Sequence, residues 1–199
     1  MNTARTHARG SAWSTAAVIV GIVAAGTVVA GLLNDPQSEA ITIPGCDEVV
    51  QPEDMQRINY AFVGADSYDD LWFSEEKATA MSDALAGALP ADAVVEPPLS
   101  FDSDATAHGT VSVNGNSGQL TVRVWQSDEP AGPCFAGYVD ERRSLSDGTV
   151  LDISGERVIA YVPDGSRIDV NADNVFTVKQ LTDIATTPGL RVSESSVPE

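Results

Sequence analysis

Four oxygen-bearing side chains near the C-terminus have the spacing of a calcium-binding loop. They occupy positions one, three, five and nine of such a loop, ahead of a helical pattern: Asp169, Asn171, Asp173 and Thr177. Calcium prefers oxygen ligands, so these residues form the candidate metal site. The pattern departs from a calcium loop where Asn174 replaces the turn glycine and Gln180 replaces the closing glutamate. The alternative is a strand end, side-chain turns and a helix cap.

Nucleophilic catalysis would depend on His108, because the other histidine, His7, lies in the N-terminal flank. A Ser-His-Asp or Cys-His arrangement needs such a base beside its nucleophile. We expect His108 in an exposed loop before a strand. The chain contains neither a Gly-x-Ser-x-Gly turn nor a glycine-rich phosphate loop with lysine. The sequence therefore predicts no catalytic residue, no cofactor and no enzymatic activity.

Acidic side chains are numerous enough that a weak carboxylate-based hydrolase remains an alternative. A glycosidase needs two carboxylates about 5 to 9.5 Å apart across a cleft. Neighbours in sequence point apart on a helix or strand, which weakens the adjacent pairs as candidates. These pairs are Asp69-Asp70, Glu75-Glu76 and Asp140-Glu141. Two facing acids, one of them with a raised pKa, would favour the hydrolase.

An uncharged apolar run, residues 12–33, is long enough to cross a membrane as one helix. The hydrocarbon core is about 30 Å thick and needs roughly 20 apolar residues. Arg5 and Arg9 precede the run, and positive charge on a short flank keeps that flank in the cytoplasm. Trp13 suits the membrane interface. We expect a cytoplasmic flank at 1–11 and a single-pass cell-membrane protein. The alternative is a cleaved signal peptide and a secreted domain.

The chain beyond this run is strongly acidic. Its 29 Asp and Glu residues all follow Asn34, and the whole chain has a net charge of −18. Nucleic acid is an unsuitable partner, because its phosphates require clustered Lys and Arg. We expect a tether at 34–45, one extracytoplasmic domain at 46–192 and a disordered tail at 193–199. That domain is long enough to bury a substantial core.

Cys46 and Cys134 both lie in the exported part of the chain. Outside the cytoplasm, an even and minimal number of cysteines indicates a disulfide. A structural zinc site would need four Cys or His ligands, which this pair does not supply. The sequence therefore predicts a Cys46–Cys134 disulfide that joins the start of the domain to its middle.

The apolar spacing predicts an α+β fold. Pro52 could begin a short helix, and residues 74–89 repeat apolar side chains at helical steps until Pro90. Residues 91–100 form an extended connector. From residue 109 the period becomes two, with hairpin turns near residues 114–118, 147–148 and 163–166. Thr177 and Gln180 form a capping box for a last helix. We expect helices, an antiparallel sheet of hairpins and a C-terminal helix.

Two short segments carry a resemblance to a group of proteins: Pro163-Asp164-Gly165-Ser166, and the run from Leu181 to Thr187-Pro188-Gly189-Leu190. This tail resembles that of uncharacterised membrane-anchored or secreted proteins of actinobacterial type. In those proteins a hairpin with a Pro-Asp-Gly turn precedes a short helix. The resemblance covers roughly the last 60 residues, and it implies an exported α+β domain without implying any activity.

The predicted function is binding. The leading interpretation is a non-enzymatic envelope protein whose acidic extracytoplasmic domain contacts a partner protein or cell-wall component. The alternative is an extracellular binding module for a cation, such as calcium, or for a small ligand. The membrane is the other expected partner, through the N-terminal helix.

Overall fold

The structure of the protein is a computed structural model that describes residues 40–55 and 72–193. The chain divides into two compact units, Met1–Ala40 and Ile41–Glu199, and the description below concerns the second. The predicted helix at 12–33 and its flanking residues Arg5, Arg9 and Trp13 lie outside the described residues, as do most of the tether and the tail. None of the helices in the described ranges is long and apolar enough to span a membrane.

The described part of the chain is α+β, as the sequence predicts. Its helices are α1 (Pro52–Met55), α2 (Glu75–Ala88), α3 (Val178–Ala185) and a 3₁₀ turn at Pro188–Leu190. Its strands are β1 (Val49–Val50), β2 (Val94–Glu96), β3 (Thr106–Val113), β4 (Asn116–Gln126), β5 (Cys134–Phe135), β6 (Glu141–Ser144), β7 (Val150–Ser154), β8 (Arg157–Tyr161) and β9 (Ser166–Ala172).

Capping side chains fix the starts of both longer helices. The Ser74 hydroxyl accepts a hydrogen bond from the backbone N–H of Lys77 at the start of α2. Thr177 and Gln180 form the predicted capping box of α3, in which each side chain bonds the other residue's backbone N–H. Both arrangements satisfy N–H groups that have no partner within the helix, so the two predicted helix starts are confirmed.

Seven strands form one antiparallel sheet in the order β2-β3-β4-β9-β8-β7-β6. The three predicted hairpins are all present, as β3–β4, β6–β7 and β8–β9. In the first, Asn114 and Gly115 both have positive φ angles, 52° and 82°. That combination builds the tight turn whose twist matches the two strands. The expected connector at 91–100 contains a strand, β2, which pairs with β3.

The two faces of the sheet differ in chemistry. One face is covered by α2 and α3 and buries an apolar core that includes Leu120, Val122, Val158, Ile168 and Val170. The other face carries the alternate residues of the same strands, most of which are polar or charged. Because side chains alternate along a strand, the register that buries one set presents the other on this second face.

A separate pair of short strands carries the disulfide. β1 pairs with β5 in parallel, with Val49 opposite Cys134. The predicted bond between Cys46 and Cys134 is present, with an Sγ–Sγ distance of 2.01 Å, and it joins residues 88 positions apart. Cys134 is fully buried. The disulfide and this strand pair hold the segment after β4 against the start of the domain.

Candidate binding pocket

The polar face of the sheet contains an arginine cluster. On the strands from β4 to β6 it presents four arginines, Arg123, Arg142, Arg157 and Arg167, and two aspartates, Asp152 and Asp169. The register places Arg142 opposite Asp152 and Arg123 opposite Asp169. In a chain with a net charge of −18, this face carries more positive than negative side chains on those strands.

Arg142 connects the sheet to the loop above it. Its Nε and Nη2 donate to the two carboxylate oxygens of Asp152 at 2.6 and 2.8 Å. Its Nη1 donates to the backbone carbonyl of Gly132 at 2.7 Å. Both side chains are largely buried, and hydrogen bonding to Asp152 raises the pKa of Arg142 above its ordinary value. All three nitrogens of this guanidinium donate hydrogen bonds, and its charge is paired with a carboxylate. These interactions offset the free-energy cost of burying the charge.

The loop at residues 132–139 forms one wall of a pocket. Backbone bonds from Cys134 to Glu48 and from Ala136 to Val50 hold it, together with the disulfide. The opposite wall is the polar face of β7 and β8. The pocket is open on one side and has a volume of about 470 Å³, and its lining is Gly132, Pro133, Phe135, Tyr138, Val139, Asp152, Ser154, Arg157, Ile159 and Tyr161. This volume lies within the range of small-ligand sites, about 300 to 1,000 Å³.

The pocket has an apolar body and few charged groups. Phe135 and Val139 contribute apolar surface from the loop, and Ile159 contributes it from β8. Tyr138 also lines the pocket from the loop, and this large aromatic side chain is 65% exposed to solvent. An apolar pocket with a few fixed polar groups is the usual composition of a binding site for an organic ligand.

Arg157 is the charged group of this pocket with unused donors. Its Nε and Nη2 bond both oxygens of Asp169 at 2.8 and 2.7 Å. Hydrogen bonding to Asp169 raises the pKa of Arg157. Its Nη1 has no hydrogen-bond partner among residues 40–55 and 72–193, and its side chain is 42% exposed, against 13% for Arg142.

Tyr161 lines both this pocket and a second cavity. The guanidinium carbon of Arg167 lies 4.9 Å from the centre of the Tyr161 ring, within the range of a cation–π contact. Burial raises the pKa of the Tyr161 phenol, and the negative charge of Asp152 raises it further. The second cavity, of about 420 Å³, lies between residues 127–131 and 163–165, and its lining includes Asp128, Glu129 and Arg167.

The four predicted calcium ligands are placed along a strand and a helix start. Asp169 and Asn171 lie inside β9, and both oxygens of Asp169 are bonded by Arg157. Asp173 accepts a bond from the backbone N–H of Gln119, and Thr177 caps α3. These contacts are closer to the alternative interpretation of the sequence, in which the segment ends a strand and caps the following helix. Within residues 40–55 and 72–193, no group of three or more His, Cys, Asp or Glu could hold a metal ion.

None of the candidates for catalysis that the structure describes is among the lining residues of the pocket. His108 is exposed on β3, so its expected position in a loop is wrong, because β3 begins at Thr106. The pair Glu75-Glu76 is exposed in the first turn of α2. Asp140 accepts a bond from Gly155, and Glu141 pairs with Arg143. The pair Asp69-Asp70 lies outside the described residues.

Sequence reasoning missed the pocket residues. Asp152 and Arg157 alternate with buried apolar residues in β7 and β8, a pattern that indicates only a face open to solvent, and Arg142 lies in a strand, β6, that has no buried residue. Finding the pocket required two further facts, the order of the strands and the path of loop 132–139. The local signal that was available is a pair of aromatic residues, Phe135 and Tyr138, close to a cysteine.

No protein-family model, curated protein or solved structure matches the chain. The resemblance of the C-terminal tail to exported actinobacterial proteins therefore stays a prediction, and the function has to be inferred from the pocket itself.

Proposed function

We propose that the protein is a non-enzymatic binding domain, carried outside the membrane by its N-terminal helix, which binds a cell-envelope component in the pocket beside Tyr138. The pocket of about 470 Å³ is the observation that carries this proposal. Its apolar surface is accessible, and its size suits a ligand or one side chain of a partner. Its charged groups, Asp152 and Arg157, are each held in place by two hydrogen bonds.

The disulfide supports both the location and the binding role. Disulfides persist in oxidising compartments and are rare in the cytoplasm. This one ends at Cys134, beside the pocket residues Pro133 and Phe135, so it stabilises the pocket wall. A preformed wall reduces the entropy lost when a ligand binds.

The location also rests on the N-terminal sequence. The apolar run at 12–33 with Arg5 and Arg9 before it favours a single-pass protein with the domain outside. A version of the full chain with a C-terminal tag tests this. We expect the tag in the membrane fraction after alkaline carbonate washing, and accessible to protease in cells whose wall has been removed. A tag protected from protease would contradict the orientation.

Site-specific photocrosslinking in living cells tests the binding proposal. The full-length chain carries photoreactive p-benzoylphenylalanine in place of Tyr138 at the pocket rim, or in place of Val94 as the matched control. Val94 is exposed to a similar degree, 59%, and lies on β2, at the other end of the sheet from β7 and β8.

We expect the Tyr138 position to give one defined adduct with an envelope component, identified by mass spectrometry and absent from the Val94 position. Reciprocal crosslinking from that component should recover this protein. Equal labelling at both positions, or none at Tyr138, would contradict the proposal.

A further inference from the structure

We propose that the pocket binds a carboxylate attached to an apolar group, with the carboxylate held by the outer edge of the Arg157 guanidinium. This inference deepens the binding function proposed above and rests on it. It assigns the ligand's chemistry from two features of the pocket, the unused donors of Arg157 and the apolar surface around them.

The first feature follows from guanidinium geometry. A guanidinium has five N–H donors in a planar fork, and a carboxylate can bond two of them at once. Asp169 occupies the edge formed by Nε and Nη2 of Arg157. Within residues 40–55 and 72–193, nothing bonds the Nη1 hydrogens, and one of them forms, with the second hydrogen of Nη2, a second edge with the same spacing. This free edge fits a second carboxylate.

Arg142 has the same pairing with an aspartate, but its outer edge is already in use. It also bonds an aspartate through Nε and Nη2, but its Nη1 donates to the Gly132 carbonyl. Its side chain is 13% exposed, whereas that of Arg157 is 42% exposed. Two arginines on one sheet face therefore bond an aspartate through the same pair of nitrogens, and the one in the pocket lining keeps its outer edge open.

The pairing with Asp169 also prepares Arg157 for this role. The two bonds fix the plane of the guanidinium, so little side-chain entropy is lost when a ligand binds. Arg123 lies opposite Asp169 on β4, which leaves this part of the face with two positive groups around one negative group. An arriving carboxylate therefore meets unbalanced positive charge in an otherwise acidic protein.

The second feature is the apolar surface beside Arg157. Phe135, Tyr138 and Ile159 line the pocket together with Arg157, and they offer contact to an aliphatic or aromatic group. A carboxylate alone would leave this surface unfilled. A ligand that joins the two chemistries is either a small apolar acid or the C-terminal residue of a peptide chain, and both present the same groups.

Calorimetric titration of the detergent-solubilised full-length protein tests the inference. The probes are N-acetyl-L-phenylalanine and N-acetyl-L-leucine, each compared with its primary amide, and the peptide Ala-Ala-Phe with a free or an amidated C-terminus. The variants are Arg157→Gln, Arg157→Lys and Tyr138→Ala. Arg143→Gln is the matched control, because Arg143 is exposed and pairs with Glu141 outside the pocket.

We expect the free acids to bind at least tenfold more tightly than their amides, because charge-assisted bonds are stronger than neutral ones. This ratio should fall to about one in Arg157→Gln, fall at least partly in Arg157→Lys, and stay unchanged in Arg143→Gln. Tyr138→Ala should weaken acid and amide to the same degree. Thermal unfolding of each variant checks that it is folded, and Arg157→Lys retains a cation beside Asp169 if Arg157→Gln does not fold.

Stronger binding of the peptide acid than of the small acids would identify a chain terminus as the ligand, and equal binding would identify a small acid. Acids and amides that bind equally, an acid preference that survives in both Arg157 variants, or no binding at millimolar probe would overturn the inference. If no probe binds but Tyr138 gives a specific crosslink, the inference fails and the proposed function stands. If no probe binds and no specific crosslink forms at Tyr138, both the inference and the proposed function fail.

Discussion

Arg142 and Asp152, on neighbouring strands, form a two-bond ion pair whose third donor bonds the loop that makes the pocket wall. The side chain of Asp152 is 7% exposed and that of Arg142 13% exposed. The pair therefore does more than connect two strands, because the Gly132 carbonyl that it bonds lies in the wall opposite β7 and β8. Sheet stability and pocket shape depend on the same guanidinium.

The first prediction concerns the loss of this guanidinium. Arg142→Met leaves the buried Asp152 carboxylate without its cation, and breaking a buried pair from one side costs about 3 kcal/mol or more. Urea unfolding should show this loss. Arg143→Met, one residue away, removes an exposed pair with Glu141, and we expect it to leave the free energy of unfolding almost unchanged. Similar losses in the two variants would contradict the assignment.

The second prediction concerns the disulfide. Replacing both Cys46 and Cys134 with serine should lower the free energy of unfolding by about 2 to 5 kcal/mol, as is typical of native disulfides in exported domains. Denaturant unfolding with and without a reductant measures it. The reductant should destabilise the wild type and leave the double variant unchanged. A double variant that is as stable as the oxidised wild type would show that the bond does not stabilise the domain.

The third prediction uses two glycines with opposite surroundings. A Cβ on Gly118 would lie 2.5 Å from Val175 Cγ2 and 2.6 Å from the Asp173 carbonyl oxygen, whereas one on Gly87, near the end of α2, would meet nothing within 4 Å. We expect Gly118→Ala to destabilise the protein by about 1 to 3 kcal/mol. Gly87→Ala should stabilise it by up to about 1 kcal/mol, because alanine favours the helix.

Thermal melting of the two single variants compares these effects directly. The same sign of change in both would contradict the close approach of β4 to the segment after β9.

The fourth prediction concerns Tyr161. Burial, and then the charge of Asp152, raises the pKa of its phenol above the ordinary value of 10.0. The folded protein therefore keeps this proton at a pH where the unfolded chain loses it. The resulting contribution to stability is complete below pH 10 and falls as pH rises through the folded-state pKa.

Absorbance at 295 nm, which reports phenolate, measures this titration. We expect Tyr161→Phe to lack the latest part of the wild-type titration and to lose less stability between pH 9 and 11. Tyr138→Phe is the control, because Tyr138 is exposed at the pocket rim. An unchanged late titration in Tyr161→Phe would assign the raised pKa to another tyrosine.

Local signals were sufficient for most of the secondary structure. Ser74 and Thr177 begin helices because their hydroxyls bond free N–H groups within three residues. Asn114 and Gly115 make a hairpin because both tolerate positive φ. The disulfide could be predicted because the chain has two cysteines, Cys46 and Cys134. Interactions of this kind depend on residue types and short spacings, which are visible in the sequence.

The binding pocket was decided by tertiary structure alone. The predicted hairpin of β8 and β9 brings Arg157 beside Asp169, but the opposite wall of the pocket is loop 132–139, whose path no local pattern specifies. The calcium-like spacing of Asp169, Asn171 and Asp173 could equally be a strand end, and the structure places its first two residues in β9. The sequence by itself determined the two longer helices, the three hairpins and the apolar face of their strands, but not the short strands β1, β2 and β5. Long-range contacts decided where the pocket forms, because its second wall is a loop that a disulfide ties to a residue 88 positions away.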